Sequence, residues 1–206
     1  MSKEINVGIV GTKFMGRAHS NAFIDVAYFF PLASRPVLRA ACGRKASDLE
    51  AFARQFGWQT TETSWERLLA RDDIDLVDIC TSNATHMPIA VAAARAGKHV
   101  FCEKPIAMNA DEARRMLDAA REAGVRHMVA FNYRRVPAIM LAKQLISEGK
   151  IGHIRHFNAV YYQDWLVDPS FPIVWRHDVQ EGGSGARFRA SISCQASSVK
   201  RCAAGY

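Results

Sequence analysis

The residues best suited to chemistry in this sequence are Glu103 and Lys104, which directly follow an apolar run over residues 99–102. Such a run predicts a buried strand, and open α/β sheets bind their ligands in the crevice at the carboxyl ends of the strands. A lysine at this place, beside a glutamate and before Pro105, could donate or accept a proton during a reaction. A solvent-exposed charged pair followed by a turn proline is the alternative interpretation of the same tripeptide.

A second candidate site is the glycine-containing turn between the first predicted strand, residues 5–10, and the first predicted helix. Gly11 would make the tight turn, and Gly16 would let the helix pack closely against the strand. The amino terminus of the helix would then offer N–H groups and a positive dipole to a pyrophosphate. Lys13 stands where such turns normally have glycine, so it either adds a charge near the pyrophosphate or points away from it. The candidate cofactor-binding residues of this turn are Gly11, Thr12, Lys13, Phe14, Met15 and Gly16.

The end of the second predicted strand, residues 37–42, bears on the type of cofactor. An acid here usually binds the ribose 2′-hydroxyl of NAD, but this sequence has no acid after the strand until Asp48. Arg44 and Lys45 follow the strand instead, and a guanidinium can pair with a 2′-phosphate and lie over the adenine. We therefore expect NADP to be preferred over NAD, with a solvent-exposed basic loop as the alternative.

These candidate residues need a scaffold, and the sequence predicts one. Short strands rich in valine and isoleucine alternate with helices of 9–14 residues, which predicts a parallel sheet covered on both faces. This is the α/β class with a doubly wound, Rossmann-type architecture. We place this dinucleotide-binding domain at residues 1–130. A long amphipathic strand expected at 154–165 would begin a second, open-sheet α+β domain at 131–186.

The remaining predicted elements follow the same alternation. A capping box at Thr63-Ser64-Trp65-Glu66 predicts a short helix through Leu69, and Asn109 is expected to cap a later helix. The other predicted strands lie at residues 76–80, 99–102 and 128–131. The other predicted helices lie at about residues 15–28 and at 47–56, 88–96, 111–123 and 137–147.

Composition and charge exclude several classes of function. Four of the seven net positive charges come from residues 187–206, and no basic helix interleaved with aromatic residues occurs, so we expect no nucleic-acid partner. No apolar run approaches the ~20 residues of a membrane span, and residues 1–4 do not resemble a signal peptide. Cys42, Cys80 and Cys102 lack metal-ligand spacing and are expected to be buried thiols, with no metal site. We therefore expect a cytoplasmic protein.

Six segments of the chain, in order and spacing, resemble the Gfo/Idh/MocA family of NAD(P)-dependent oxidoreductases. Together they extend from residue 5 to about residue 186. The matching segments are Gly11-Thr12-Lys13-Phe14-Met15-Gly16-Arg17-Ala18-His19, Thr81-Ser82-Asn83-Ala84-Thr85-His86, Gly97-Lys98-His99-Val100-Phe101-Cys102-Glu103-Lys104-Pro105, Phe131-Asn132-Tyr133-Arg134, Gly149-Lys150-Ile151-Gly152 and Trp175-Arg176.

The resemblance implies a reaction and a set of roles. The reaction is the reversible oxidation of a secondary alcohol on a sugar or cyclitol, with hydride transfer to the nicotinamide. Lys104 would be the catalytic lysine that positions the substrate hydroxyl and assists proton transfer, and Glu103 would bind the nicotinamide ribose. The Lys104–Pro105 bond would be cis, and the full-length protein would be a homo-oligomer.

The resemblance also assigns more peripheral residues. Thr81, Asn83 and His86 would line the cofactor, although Asn83 and His86 could simply be a polar pair at a helix entry. Arg134 would approach the cofactor from the domain junction. The residues that would face the substrate are Tyr133, Trp165, Trp175 and Arg176, and for the last three ordinary packing is at least an equal alternative.

The resemblance stops after residue 186. There the family continues with a Leu-Gly-Asp-x-Gly-x-His segment that completes the catalytic group, whereas residues 187–206 contain no acid. This change is typical of a shifted reading frame that truncates the second domain, with a genuinely divergent tail as the alternative. We expect this tail to be poorly ordered. Three functions are therefore open: a family oxidoreductase, an NADP-binding module without turnover, and an interaction fragment.

Overall fold

A six-stranded parallel sheet forms the centre of the molecule. The structure, a computed structural model, describes residues 3–160, 170, 172, 174, 175 and 178–183. The strand order is β3-β2-β1-β4-β5-β6, which is the order of doubly wound dinucleotide-binding sheets. The expected Rossmann-type fold is thus confirmed. The strands are β1 (Lys3–Val10), β2 (Ser34–Cys42), β3 (Thr60–Glu62), β4 (Leu76–Ile79), β5 (His99–Cys102) and β6 (His127–Val129).

Helices follow the strands and cover both faces of the sheet. Successive residues of β1 illustrate why, since Ile9 packs with Phe52 on one face and Val10 packs with Ile89 on the other. Because both faces are covered, the strand reads as a continuous apolar run. The helices are α1 (Phe14–Phe29), α2 (Ala46–Phe56), α3 (Trp65–Leu69), α4 (Asn83–Arg95), α5 (Ala110–Glu122), α6 (Pro137–Ser147) and α7 (Val179–Gly182), with a short 3-10 helix at Asn132–Arg135. Within the described ranges, none of these helices has both the length and the apolar character needed to cross a membrane.

Three local predictions differ from the structure. The helix expected from residue 88 begins at Asn83, because the chain turns into α4 directly after β4 and carries Pro88 in the helix interior. The short helix α3 is capped by Ser64 rather than Thr63, since the Ser64 hydroxyl accepts a hydrogen bond from the Arg67 N–H. The edge strand β3 was not predicted because Thr-Thr-Glu has no apolar pattern, and pairing with β2 alone defines it.

The strand expected over residues 154–165 is absent from residues 154–160, the part of this range that the structure describes. Residues 154–160 contain no assigned strand, and residues 161–165 lie outside the described part of the chain. A strand requires a hydrogen-bonded neighbour, and no described segment pairs with residues 154–160. The tail at 187–206, predicted to be poorly ordered, also lies outside the described residues.

Candidate cofactor and active site

The parallel strands bring their carboxyl ends to one edge of the sheet. There the Gly11 N–H donates to the Cys42 carbonyl at 3.0 Å, and the Cys80 N–H donates to the Val10 carbonyl at 2.8 Å. The Glu103 N–H continues this row and donates to the Ile79 carbonyl at 2.9 Å. The glycine turn and the Glu103-Lys104-Pro105 loop therefore begin at the same edge, as the sequence predicts.

The glycine turn has a shape that only glycine allows at two positions. Gly11 adopts a positive φ of 107°, and a Cβ there would lie 2.5 Å from the Cys80 carbonyl oxygen. Gly16 is buried, and a Cβ on it would overlap the Gly11 carbonyl oxygen. The two glycines thus allow helix α1 to start close above the ends of β1 and β4.

The amino terminus of α1 suits an anionic group. The side chain of the N-cap residue Lys13 makes no capping hydrogen bond, and the first turn of the helix contains no acid. The first N–H groups of a helix have no partner within the helix, and they favour negative charge. Lys13, immediately before the helix, extends into solvent and lies 4.0 Å from Asp48. The turn therefore fits a pyrophosphate.

The loop after β2 lies beside this turn. A Cβ on Gly43 would come within 3.3 Å of the Thr12 side chain, so the two loops are in contact. Arg44 and Lys45 follow and are both exposed. The position expected to read the adenosine ribose is thus adjacent to the expected phosphate turn and carries positive rather than negative groups.

His19, which belongs to the first family-like segment but has no role predicted from the sequence, connects the two loops of the site. His19, on α1, places its Nδ1 2.9 Å from Oδ2 of Asp78 and its Nε2 3.1 Å from Oε1 of Glu103. Its ring stacks on Phe101, with ring centres 5.3 Å apart. A signal was present in the sequence, because Asp78 is an acid within the apolar strand β4, and a buried acid requires a partner.

Burial and hydrogen bonding shift the pKa values of this group. Burial acts to lower the pKa of His19, but hydrogen bonds to Asp78 and Glu103 outweigh it and raise the pKa to about 9. Burial acts to raise the pKa of Glu103, yet the hydrogen bond from His19 and the nearby Lys104 charge hold it below its usual value. Asp78 is fully buried, and this burial raises its pKa. The group therefore favours a charged His19 between its two acidic neighbours.

Three potential metal ligands meet in this group. One ligand atom from each of His19, Asp78 and Cys80 lies within 4.8 Å of the others. Hydrogen bonds account for these contacts: Nδ1 of His19 bonds to Asp78, and the Cys80 thiol lies 3.3 Å from Nδ1 and 3.6 Å from Oδ1 of Asp78. Burial also raises the pKa of the Cys80 thiol far above its usual value, which disfavours the thiolate that a metal needs.

The Glu103-Lys104-Pro105 loop has the expected cis peptide bond between Lys104 and Pro105. The backbone N–H of Lys104 donates to Oε2 of Glu103 at 3.1 Å, so both oxygens of this carboxylate are engaged. Glu103 is buried and Lys104 is exposed. The loop therefore combines a fixed carboxylate with an ammonium group at the sheet edge.

Asn83 and His86 hold loops together around this edge. The fully buried His86 lies with Nδ1 2.9 Å from the Pro105 carbonyl and Nε2 3.2 Å from the Thr81 carbonyl. Burial lowers its pKa below the usual value. The Asn83 amide donates to the Gly182 carbonyl at 2.9 Å, which attaches α7 to α4. Their described contacts are thus with backbone carbonyls of neighbouring loops.

The residues expected to reach the site from the second domain are only partly described. Tyr133 and Arg134 are exposed in the short 3-10 helix after β6, and Trp175 is 37% exposed. Trp165 and Arg176 lie outside the described residues. The structure therefore brings together the glycine turn, the Arg44 loop and the Glu103–Lys104 loop, and leaves the substrate-facing set as a prediction.

Comparison with known proteins identifies this arrangement. Residues 5–131 match the model of the Gfo/Idh/MocA oxidoreductase family, described as an NAD-binding Rossmann fold. The chain belongs to the Gfo/Idh/MocA family. Residues 139–191 match the model of a Gfo/Idh/MocA C-terminal domain. The family expected from the sequence is thereby confirmed.

Among relatives, this Gfo/Idh/MocA chain is 44% identical over 185 residues to a levoglucosan dehydrogenase from Pseudarthrobacter phenanthrenivorans. The matched region covers 89% of this chain and 47% of the relative. It is 31% identical over 158 residues to an inositol 2-dehydrogenase from Rhizobium meliloti, covering 73% of this chain and 43% of the relative. The chain thus spans about half the length of the curated relatives it matches.

Solved structures give the same result. The fold matches an oxidoreductase domain protein from Kribbella flavida with a TM-score of 0.86 and 50% identity, covering 89% of this chain and 50% of that one. It also matches levoglucosan dehydrogenase in complex with NADH and levoglucosan, with a TM-score of 0.86, 44% identity and the same coverage.

Proposed function

We propose that this protein is a nicotinamide-dependent dehydrogenase that reversibly oxidises a secondary alcohol on a sugar or cyclitol. The observation that carries this proposal is the meeting of the Gly11–Gly16 turn and the Glu103–Lys104 loop at one edge of the sheet. The bound cofactor would supply the hydride chemistry. The alternatives are a cofactor-binding module without turnover and an interaction fragment.

Each part of the site has a proposed task. The glycine turn and the first N–H groups of α1 bind the pyrophosphate, and the Glu103 carboxylate accepts hydrogen bonds from the nicotinamide ribose. Lys104 positions the substrate hydroxyl and moves its proton. The other residues proposed to shape the cofactor and substrate regions are Thr81, Asn83, His86, Tyr133, Arg134, Trp165, Trp175 and Arg176.

We propose NADP(H) as the preferred cofactor. The support is local: Arg44 and Lys45 are exposed beside the phosphate turn, and Asp48, the next acid, lies 4.0 Å from Lys13. A guanidinium at this place would pair with a 2′-phosphate. The 44% identical levoglucosan dehydrogenase was solved with NADH, so a direct comparison of the two cofactors is the appropriate test.

The proposed substrates are polyhydroxylated rings, because relatives of this chain are named for levoglucosan and inositol. We place the reaction in the cytoplasm, since Cys42, Cys80 and Cys102 are buried free thiols, as in proteins from reducing compartments. Homo-oligomerisation of the full-length protein remains part of the proposal.

Cofactor titration tests the first part of this function. We expect the purified chain to bind NADPH saturably, detected by a change in tryptophan and nicotinamide fluorescence, with weaker binding of NADH. A Gly16→Ala variant is the comparison. It should bind either cofactor poorly, because its methyl group would overlap the Gly11 carbonyl oxygen in the turn. Failure of both cofactors to bind the unmodified chain would overturn the proposal.

A substrate panel tests the second part. The chain is mixed with each oxidised cofactor and with levoglucosan, inositols and simple sugars, and reduced nicotinamide is followed by absorbance. Saturable turnover on one of these rings is expected once the family's Leu-Gly-Asp-x-Gly-x-His segment and the rest of a second domain replace residues 187–206. Binding of cofactor without turnover on any of them would instead support the binding-module alternative.

A further inference from the structure

His19 lies on the helix that follows the phosphate turn, yet it contacts residues of two different strands of the sheet. It lies on α1 but places its ring between Asp78, on β4, and Glu103, at the end of β5. Only 12% of its side chain is exposed. The residue thus connects the helix that follows the glycine turn to the loop that carries Lys104.

The hydrogen-bond geometry around the ring suits a doubly protonated imidazolium. Each ring nitrogen faces a carboxylate oxygen, and ionised carboxylates only accept hydrogen bonds. A neutral imidazole has one N–H donor, whereas an imidazolium has two. Both contacts are satisfied together when His19 carries both protons and Asp78 and Glu103 are ionised.

The same contacts restrict Glu103. Its Oε1 accepts from His19 at 3.1 Å and its Oε2 accepts from the Lys104 backbone N–H at 3.1 Å. The carboxylate is therefore held from both ends, and each oxygen retains a second lone pair for another donor. A ribose, with two adjacent hydroxyl groups, offers donors of the kind that these lone pairs can accept.

We propose that His19 is a positioning residue that, as an imidazolium bridging Asp78 and Glu103, fixes the Glu103 carboxylate as the ionised acceptor for a ribose diol of the cofactor. This inference rests on the proposed function. His19 acts through Glu103 and does not itself take part in hydride or proton transfer.

The nearby thiols do not titrate in the pH range in which His19 loses its proton. Among the described residues, the titratable groups that contact the ring from the neighbouring strands are Asp78, Cys80 and Glu103, with Lys104 next to Glu103. Burial raises the pKa of Cys80, and of Cys102 nearby, far above its usual value. These thiols therefore stay protonated while His19 loses its proton.

Nitrogen NMR of the unliganded chain provides the first test, and it does not depend on cofactor binding. With histidine ring nitrogens labelled, we expect both nitrogens of His19 to be protonated at pH 7.5 and to titrate near pH 9. A His19→Gln variant assigns the signals. A neutral His19 at pH 7.5 would overturn the inference.

A double-mutant cycle provides the second test. His19→Gln should weaken cofactor binding roughly tenfold or more, the effect of losing one hydrogen bond to a charged group. His127→Gln, at an exposed residue of β6, is the matched control and should bind normally. Because His19 acts through Glu103, the His19→Gln/Glu103→Gln double variant should bind no more weakly than Glu103→Gln alone.

The pH profile separates positioning from a general role in folding. Cofactor affinity of the unmodified chain should fall as pH rises through the titration of His19, and the His19→Gln variant should lack this fall. Additive losses in the cycle, or the same pH profile in both proteins, would contradict the role. An unmodified chain with a charged His19 that binds no cofactor would overturn the proposed function and this role together.

Discussion

The His19 ring ties helix α1 to the end of β5, because its Nε2 lies 3.1 Å from Oε1 of Glu103. These residues are 84 positions apart in the chain. Their contact joins the helix that follows the glycine turn to the loop that carries Lys104, at the carboxyl edge of the sheet. The edge is therefore a connected polar structure rather than a set of independent loops.

The first prediction concerns stability and pH. The pKa of His19 is raised from 6.5 to about 9 in the folded chain, so its contribution to stability is fully present below pH 6.5 and is lost as pH rises through 9. The slope should be about 1.4 kcal/mol per pH unit at most. Denaturant unfolding between pH 6.5 and 8.5, in the unmodified chain and in His19→Gln, checks this.

In the same experiment the His19→Gln variant should have a flatter profile. The folded protein also loses stability at higher pH because its buried cysteines ionise more easily in the unfolded chain, as burial raises the pKa of Cys42 to about 12. The comparison is therefore confined below pH 8.5. Parallel profiles for the two proteins would contradict the prediction.

The second prediction concerns Gly11. In Gly11→Ala the alanine would have to adopt a positive φ, and its Cβ would lie 2.5 Å from the Cys80 carbonyl oxygen. We therefore expect a loss of stability well above that of Gly124→Ala. Gly124 also has a positive φ, of 65°, but no atom of the described residues lies within 4 Å of its added Cβ. Overpacking typically costs about 1–3 kcal/mol. Equal unfolding free energies for the two variants would refute this.

The third prediction concerns the adenosine end of the cofactor. Arg44→Asp should weaken NADPH binding by about 1.5–3 kcal/mol, because a hydrogen bond to a charged group is lost and a carboxylate repels the 2′-phosphate. Binding of NADH should be little changed or improved. Arg54→Asp, on the exposed side of α2, is the charge-matched control. An unmodified chain that binds NADH as well as NADPH would show that the preference is wrong.

The fourth prediction concerns catalysis. In a protein with a complete second domain, Lys104→Met should lower kcat by about 10²-fold or more, the lower range for a general acid–base group, while cofactor affinity changes far less. Lys150→Met, at an exposed loop residue, controls for loss of positive charge. Near-normal turnover of Lys104→Met on any substrate of the unmodified protein would remove Lys104 from the mechanism.

The fifth prediction concerns α7. Asn83→Ala removes the hydrogen bond from the Asn83 amide to the Gly182 carbonyl, and the net cost should be about 1 kcal/mol. Hydrogen exchange should become faster at the amides of α7 and stay unchanged in α5. Asn21→Ala, which removes only an exposed contact to Asp25, should leave α7 protected.

The sequence predicted most of the sheet because buried parallel strands leave a strong apolar signal. The runs that became β1 and β5 are continuous and end in turn residues, and their carboxyl ends placed Gly11 and Glu103 together. The start of α4 was harder to predict from the sequence, because Pro88 resembles a first-turn proline. The actual start at Asn83 involves tertiary contacts, such as the hydrogen bond from the Asn83 amide to the Gly182 carbonyl.

The cluster around His19 was missed for a different reason. A histidine on an amphipathic helix has no local pattern that reveals its partners, and Asp78 and Glu103 follow it by 59 and 84 positions. Only the strand order, with β4 between β1 and β5, brings the three together. An acid within an apolar strand indicates that a partner exists but does not identify it.

The central position of β1 has a consequence for biosynthesis. This strand precedes the other five strands in the chain, yet one of its two neighbours, β4, lies about 70 residues later, which corresponds to roughly 4–14 seconds of translation at ~5–20 residues per second. Until Leu76–Ile79 is synthesised, the edge of β1 that receives it has no native partner, and an open strand edge is prone to mispairing. The nascent chain is therefore exposed to mispairing at this edge of β1 until β4 has been synthesised.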